Sequence, residues 1–237
     1  MSRKKLVVLS GSGISAESGI STFRGGDGLW DNVPVEEICT AQAWVRNPGK
    51  VLEFYNERRA QLATVEPNAA HRILAEMEKD FDIQIITQNV DNLHERAGSN
   101  NILHLHGELT KVRPEDCHTE ADGFSMKEVL DVGYRAVHLG ETGGPHHRQL
   151  RPHIVFFGEA VPNLQAAAQI VSGADILLII GTSMQVYPAA SLYSYAPYGC
   201  RIVMIDPADE PAAAVMGIEH IKAVATEGMR IFRQSIQ

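Results

Sequence analysis

The 237-residue chain is 44% hydrophobic and 21% charged with a formal net charge of −8, a balance that suits one large α/β domain carrying an inserted module. The acidic surplus disfavours an extended nucleic-acid surface, and no apolar run reaches membrane-spanning length. Its three widely spaced cysteines, Cys39, Cys117 and Cys200, give no disulfide framework and fit free thiols in a reducing, cytoplasmic compartment.

Val7-Val8-Leu9 reads as a buried strand that runs into Ser10-Gly11-Ser12-Gly13-Ile14-Ser15 and then a helix, the arrangement by which backbone N–H groups are aimed at a phosphate. Gly11 and Gly13 permit a tight turn and close approach to a ligand; Ser15 is placed to cap the helix, with Glu17 and Ser18 in its first turn. The third glycine of the dinucleotide fingerprint is replaced by Ala16, so the turn taken alone fits an ordinary strand-to-helix connection equally well. Residues 21–30 form a glycine-rich loop, read either as a ligand cover with Phe23 as lid and Arg24 as charge partner, or as a surface loop pinned by Trp30.

Apolar spacing predicts a helix from Asn47-Pro48 to Leu62, and a second from Ala69 to about Lys79 with Asn68 as its cap. Tyr55 and Arg58 share one face of the first helix, where a phenol and a guanidinium together suit a carboxylate; an ion pair between Arg58 and a surface glutamate is the competing reading. Residues 83–87 form a core strand that ends in Gln88-Asn89-Val90-Asp91, at the strand end where open α/β sheets bind ligands. Apolar and polar residues alternate over 101–109, with His104 and His106 on one side. A spacing of two is poor for a metal, so one histidine is read as a general base.

From about Val112 to Leu150 the chain changes character, and the capping-box spacing at Ser125 predicts a short helix through Val129, Leu130 and Val132. A strand is predicted over 154–157, then Gly158-Glu159 and a helix from Pro162 to Val171. Two more strands follow, residues 175–180 ending in Gly181-Thr182-Ser183 and 201–205 ending in Asp206, a carboxylate placed for a ribose diol. A last helix at about Gly228 to Ser235 reads as packing only. The fold class is α/β, a Rossmann-like parallel sheet with helices on both faces, formed by residues 1–111 and 151–237, with a helical insertion at about 31–66 and a small module at 112–150.

Together these stretches resemble the sirtuin family of NAD-dependent protein-lysine deacylases over nearly the whole chain. The resemblance is carried by Gly11-Ser12-Gly13-Ile14-Ser15 with Gly19-Ile20 and Phe23-Arg24, Gln88-Asn89-Val90-Asp91, His106-Gly107-Glu108, Phe157-Gly158-Glu159, and Gly181-Thr182-Ser183 with Val186 and Pro188. It implies NAD as cofactor, held by these first, second and last stretches together with Trp30, Asp206 and Ala225. It further implies His106 as catalytic base beside Asn89, and acylated-lysine proteins or peptides as partners against Phe157, Gly158 and Glu159. In the family's reaction the acyl oxygen attacks C1′ of the nicotinamide ribose, nicotinamide leaves, and lysine and O-acyl-ADP-ribose are the products.

Tyr55 and Arg58 resemble the Tyr-x-x-Arg pair with which one sirtuin branch holds the carboxylate of succinyl- and malonyl-lysine, and Gly25 and Gly26 leave room for a longer acyl chain. Asp206 stands where the family has asparagine. The family's two Cys-x-x-Cys zinc pairs are missing, since the module carries Cys117 alone, so no zinc is expected. Phe124, Val129, Leu130, Tyr134, Val137 and Leu139 would hold the module instead. NAD glycohydrolysis or ADP-ribosyl transfer at the same site, and a non-catalytic NAD-binding module, are the competing functions. Neither nucleic acid nor a membrane is expected as a partner, and the oligomeric state is left open.

Overall fold

The computed structural model describes residues 3–22, 29–30, 32–116, 119–120, 123–124, 128–209 and 217–236. Phe23, Arg24, Gly25, Gly26, Cys117 and residues 125–127 lie outside the described residues, as does the side chain of Phe124. In chain order the strands are β1 (Lys5–Ser10), the hairpin β2 (Leu29–Trp30) and β3 (Val33–Pro34), β4 (Asp82–Thr87), β5 (Ile102–His104) and β6 (Gly107–Pro114). Then come the hairpin β7 (Thr119–Glu120) and β8 (Gly123–Phe124), β9 (Leu130–Asp131), β10 (Thr142–Gly143), β11 (Arg148–Ile154), β12 (Ile176–Ile180), β13 (Arg201–Ile205) and β14 (Glu219–Ile221). The α-helices are α1 (Val35–Ile38), α2 (Ala41–Arg46), α3 (Pro48–Leu62), α4 (Ala69–Met77), α5 (Leu93–Ala97), α6 (Leu164–Val171) and α7 (Ala225–Ser235), with 3-10 helices at Ser12–Ser18 and Ala189–Tyr195.

Six strands form one parallel sheet in the order β14-β13-β12-β1-β4-β5. β1 lies in the middle, and its side chains alternate between two separate cores. Leu6 and Val8 pack with α4 and α7, while Val7 and Leu9 pack with α6 and the Ala189–Tyr195 helix. A strand covered on both faces must be apolar throughout, which is why β1 and β12 read so plainly from their composition. Asn47 accepts from the Lys50 N–H at the start of α3, and Asn68 from the Ala70 N–H at the start of α4, as their capping roles predict.

The smaller lobe differs from expectation. Its four-stranded sheet, β10-β11-β6-β9, is antiparallel and runs from Gly107 to Ile154, so its two long strands begin before Val112 and end after Leu150. The segment predicted as a helix after Ser125 contains β9, where Leu130 pairs with Val112 and Asp131 with Lys111. The strand predicted over 154–157 lies earlier: β11 ends at Ile154, and Phe157 instead bridges to Thr40. Of the six side chains expected to hold the module, Val137 is buried, whereas Leu130, Tyr134 and Leu139 are exposed.

The fastening comes from α3. Arg59 is fully buried and donates to the carbonyls of Arg135 (3.1 Å) and Leu109 (3.2 Å), and Asn56 exchanges two 2.9 Å bonds with the Val137 backbone. Burial lowers the Arg59 pKa to about 10, which still leaves it charged near neutrality. Charge-assisted bonds of this kind contribute about 1.5–3 kcal/mol each.

A close backbone contact joins the ends of β1 and β12. Gly11 N donates to Ile180 O (3.0 Å) and Gly13 N to Gly181 O (2.8 Å). A methyl group on Gly181, whose φ is +64°, would lie 2.3 Å from Ile14 N. Gly181→Ala should therefore cost the left-handed penalty of about 1–2 kcal/mol and a further 1–3 kcal/mol, roughly, for displaced backbone. Gly133→Ala, at φ +55° with nothing within 4 Å, should cost only the first part. Urea unfolding of both variants measures the difference; equal losses would contradict the close packing of the two turns.

Candidate active site

The C-terminal ends of β1, β4, β12 and β13 open onto one cavity of about 700 Å³, which continues to the rim of the smaller lobe. It is lined by Gly11, Ser12, Gly13 and Ser15 from the first turn, Gln88, Asn89, Val90 and Asp91 from the second, and Gly181, Thr182 and Ser183 from the third. Trp30, Arg58, His106, Phe157, Gly158, Glu159, Asp206 and Ala225 complete the predicted positions on its wall. Ile14 and Tyr55 lie behind the wall, both fully buried. Phe23 and Arg24 lie outside the described residues.

Helix geometry corrects one expectation in the first turn. The 3-10 helix starts at Ser12, one residue after Gly11, so Ser15 lies inside it and caps nothing. The Ser15 hydroxyl instead donates to Asp91 Oδ2 (2.9 Å) and receives the Asn89 Nδ2 (3.2 Å). Gly11 and Gly13, in turn, are small because each faces the backbone of Gly181 within 2.7 Å of an added methyl.

Asn89 and Asp91 are buried, and each is held by several hydrogen bonds. The Asn89 N–H donates to Thr87 Oγ1 (3.0 Å), and Asp91 Oδ1 accepts from the Leu93 N–H (3.0 Å) and so starts α5. Burial raises the Asp91 pKa, against the lowering effect of those bonds. His106 Nδ1 lies 3.1 Å from the Gln88 carbonyl, which requires a proton on Nδ1 and leaves Nε2 as the lone pair on the cavity side. Burial lowers its pKa, so the imidazole is neutral near pH 7 and competent as a base. Gln88 Nε2 donates to Thr182 Oγ1 (3.1 Å), tying the second turn to the third.

The other end of the cavity is built from Asp206, Ala225 and Glu17. Asp206 Oδ1 accepts from the Ala208 N–H (2.9 Å), which shapes the turn after β13. Helix α7 begins at Ala225, three residues earlier than expected, which puts its first turn on the cavity wall and gives it a role beyond packing. Glu17 takes the Thr226 N–H (2.9 Å) and hydroxyl (2.7 Å), a cap supplied from the opposite end of the sequence.

At the smaller lobe, Glu159 points inward. Its carboxylate accepts from Arg151 (2.7 Å), from Arg113 (3.5 Å) and from the Phe156 N–H (2.8 Å), which closes the turn whose tip is Phe157-Gly158. Arg58 lies over the Phe54 ring, 4.5 Å from its centroid, and reaches the exposed Glu57 at 3.2 Å. Tyr55 does not present its hydroxyl to the cavity beside Arg58; it donates to Cys39 Sγ (3.3 Å). Cys39, which the sequence did not single out for the site, lies on the cavity wall, and burial pushes its thiol up to about 11, so it is protonated. Among the described residues no three His, Cys, Asp or Glu side chains converge as a metal site, and no helix is long and apolar enough to cross a membrane.

A glycine-tight turn at a sheet's carboxyl edge, a fixed amide and carboxylate, and a neutral histidine facing the same cavity define an enzyme that acts on a bound nucleotide. Residues 11–188 match the model of the Sir2 family, and the chain belongs to that family. It is 50% identical over 234 residues to an NAD-dependent protein deacylase of Bacteroides thetaiotaomicron, covering 98% of this chain and 97% of that one. A crystal structure of a Sir2 homolog–NAD complex superposes with a TM-score of 0.83 at 37% identity, covering 99% of this chain and 91% of that one. A Sir2–p53 peptide–NAD+ structure does so with a TM-score of 0.78 at 27% identity, covering 99% and 95%.

Behind Asn89, the ring of His94 packs against that of His71 at 5.0 Å, and its Nε2 lies 3.0 Å from Ser10 Oγ, which donates to Thr87 Oγ1 (2.9 Å). Burial lowers the His71 pKa to about 4 and that of His94 to about 3, so both are neutral when folded and take up protons when unfolded. Stability is then intact above pH 6.5, falls as pH drops below that, and levels off only near pH 4 and 3 respectively. His94→Gln should flatten the dependence of the urea midpoint on pH between 6.5 and 4. An unchanged slope would assign the acid loss to other groups.

Proposed function

We infer that this chain works as an NAD-dependent protein-lysine deacylase, with the cavity as the place where the two substrates meet. NAD is its cofactor, consumed with water while an acyl group passes from lysine to ADP-ribose and nicotinamide is released. The observation that carries the reading is the joining of Gln88, Asn89, Asp91 and His106 on one wall, in a family member half identical to a deacylase. When bound, NAD supplies an electrophilic ribose carbon and a nicotinamide able to leave. Asn89 and Asp91 are preorganised to address the nicotinamide end, and the Gly11–Ser15 and Gly181–Ser183 turns flank the pyrophosphate. Asp206 takes the ribose diol and Ala225 lies against the adenosine end. His106 accepts a ribose hydroxyl proton at Nε2 while the Gln88 carbonyl fixes its Nδ1–H.

The acylated lysine enters past Phe157 and Gly158, and Arg58 receives the far end of an acidic acyl chain. Support for that second assignment is the Arg58 position on a cavity wall that also carries apolar Trp30 and Ile154. One competing partner, Glu57, is exposed, and a pair with an exposed carboxylate contributes about 0–1 kcal/mol, less than a desolvated bidentate acyl carboxylate would. Tyr55 acts from behind, as the ring that Phe54 and Trp30 pack against at 5.3 and 5.8 Å. The test is incubation with NAD and matched acetyl-, succinyl- and malonyl-lysine peptides, following nicotinamide and O-acyl-ADP-ribose. Arg58→Met should spare deacetylation within about twofold and reduce desuccinylation by about a hundredfold, the loss of a charge-assisted bidentate contact. Equal loss on both peptides would sink the acyl assignment; nicotinamide without deacylated peptide would sink the deacylase.

A further inference from the structure

His104 and His106 hold successive carbonyls of the segment after β4. His106 Nδ1 lies 3.1 Å from Gln88 O, and His104 Nδ1 lies 3.1 Å from Asn89 O. Their second ring nitrogens differ. Nε2 of His106 is left to the cavity, whereas Nε2 of His104 lies 2.8 Å from Glu95 Oε1, with only 9% of the His104 side chain exposed. A carbonyl and a carboxylate both accept and neither donates, so His104 satisfies the two only as a doubly protonated imidazolium. His106 needs one proton, on Nδ1. Two histidines with the same first contact are thus set in opposite charge states by the second.

Asn89 is the group the cation reaches, and α5 supplies the rest of its support. Glu95 and its neighbour His94 come from this one short helix; Glu95 engages His104 while His94 engages Ser10, whose bond to Thr87 backs the Asn89 N–H. The Asn89 backbone is therefore gripped at both its N–H and its carbonyl by groups that converge on α5.

We propose that the His104–Glu95 pair is a positioning device for the cleavage of NAD, clamping the Asn89 carbonyl and so fixing the side chain that addresses the nicotinamide amide. This rests on the assignment of Asn89 made above. The titratable groups facing His104 are Glu95 on α5, Glu108 on β6 with its partner Lys111, and Asp91 after β4, with His94 and His153 neutral beside it. Burial lowers the His104 pKa, but the bond to Glu95 and its charge outweigh this and hold the ring above the ordinary imidazole value. Burial likewise raises Glu95, and the bond to His104 more than reverses it. Loss of the second proton at alkaline pH leaves a lone pair against either the carbonyl or the carboxylate, and the clamp opens.

The experiment is peptide-dependent nicotinamide release at varied NAD and pH, on the whole chain, for wild type, His104→Leu, His104→Asn and Asn89→Ala, with a melting curve for each. His104→Leu should lower kcat/KM for NAD by about tenfold or more while the peptide KM stays within about twofold. His104→Asn, whose amide Nδ2 takes the place of Nδ1–H, should restore most of that rate and flatten the alkaline loss, because an amide does not titrate. A folded His104→Leu with wild-type kcat/KM for NAD would overturn the proposal, as would a His104→Asn variant as slow as His104→Leu. Asn89→Ala at the wild-type rate would remove the assignment beneath it, a failure recognisable on its own.

Discussion

The contact between the Gly11–Gly13 turn and Gly181 sets the geometry of everything at the carboxyl edge of the sheet. Two strand ends meet backbone to backbone there, with no room for one methyl group. Because β1 and β12 are adjacent and in register from Leu6 and Ile176 onward, their turns emerge at the same height. The cavity wall they form is made of main chain, which cannot change rotamer. A site whose first two walls are rigid needs only to place its side chains correctly on the third, and that third wall is the segment after β4.

That segment is an exercise in burying polar groups without leaving them unsatisfied. Asn89, Asp91, Ser15, Thr87 and Ser10 are all buried, and each finds partners among the others. Removing one member leaves a buried donor or acceptor unpaired, at about 1–3 kcal/mol, so the network resists piecemeal distortion. The same low-dielectric surroundings keep His71, His94 and His106 neutral, since a lone imidazolium there has nothing to offset its desolvation. Where a buried group is charged it has an anion or several acceptors beside it, as His104 has Glu95, Arg151 has Glu159 and Arg59 has the carbonyls of Arg135 and Leu109.

The central strands β1, β4, β12 and β13 of the parallel sheet were readable because a strand buried on both faces is an unbroken apolar run, as in Ile176–Ile180, and because their ligand-facing residues follow such runs directly; the edge strand β14, Glu219–Ile221, has no such run and was not read. The second sheet was not. β11 contains Arg151, Pro152 and His153, a composition that argues against a strand until one sees Arg151 neutralised by Glu159 and the irregular register between Pro152 and Ile154. β9 is two residues long, too short to show any period, and the capping-box spacing upstream pointed to a helix that its pairing with Val112 excludes. Arg59 was hidden beside Arg58: consecutive arginines on one helix face different ways, one to the cavity and one into the joint with the smaller lobe. Cys39 follows a single helical turn and carries no pattern that marks it as part of a wall.

Glu17 and Thr226 lie 209 positions apart and share two hydrogen bonds at the Asp206 and Ala225 end of the cavity. A chain made from its amino end therefore completes β1 and the first turn long before the helix that this turn must cap exists. At roughly 5–20 residues per second, the interval amounts to some ten seconds or more. Until that helix is made, the cavity lacks the wall that Val224 and Ala225 supply, and Glu17 lacks the Thr226 donors. The arrival of the Ala225–Ser235 helix is what closes the cavity beside Asp206.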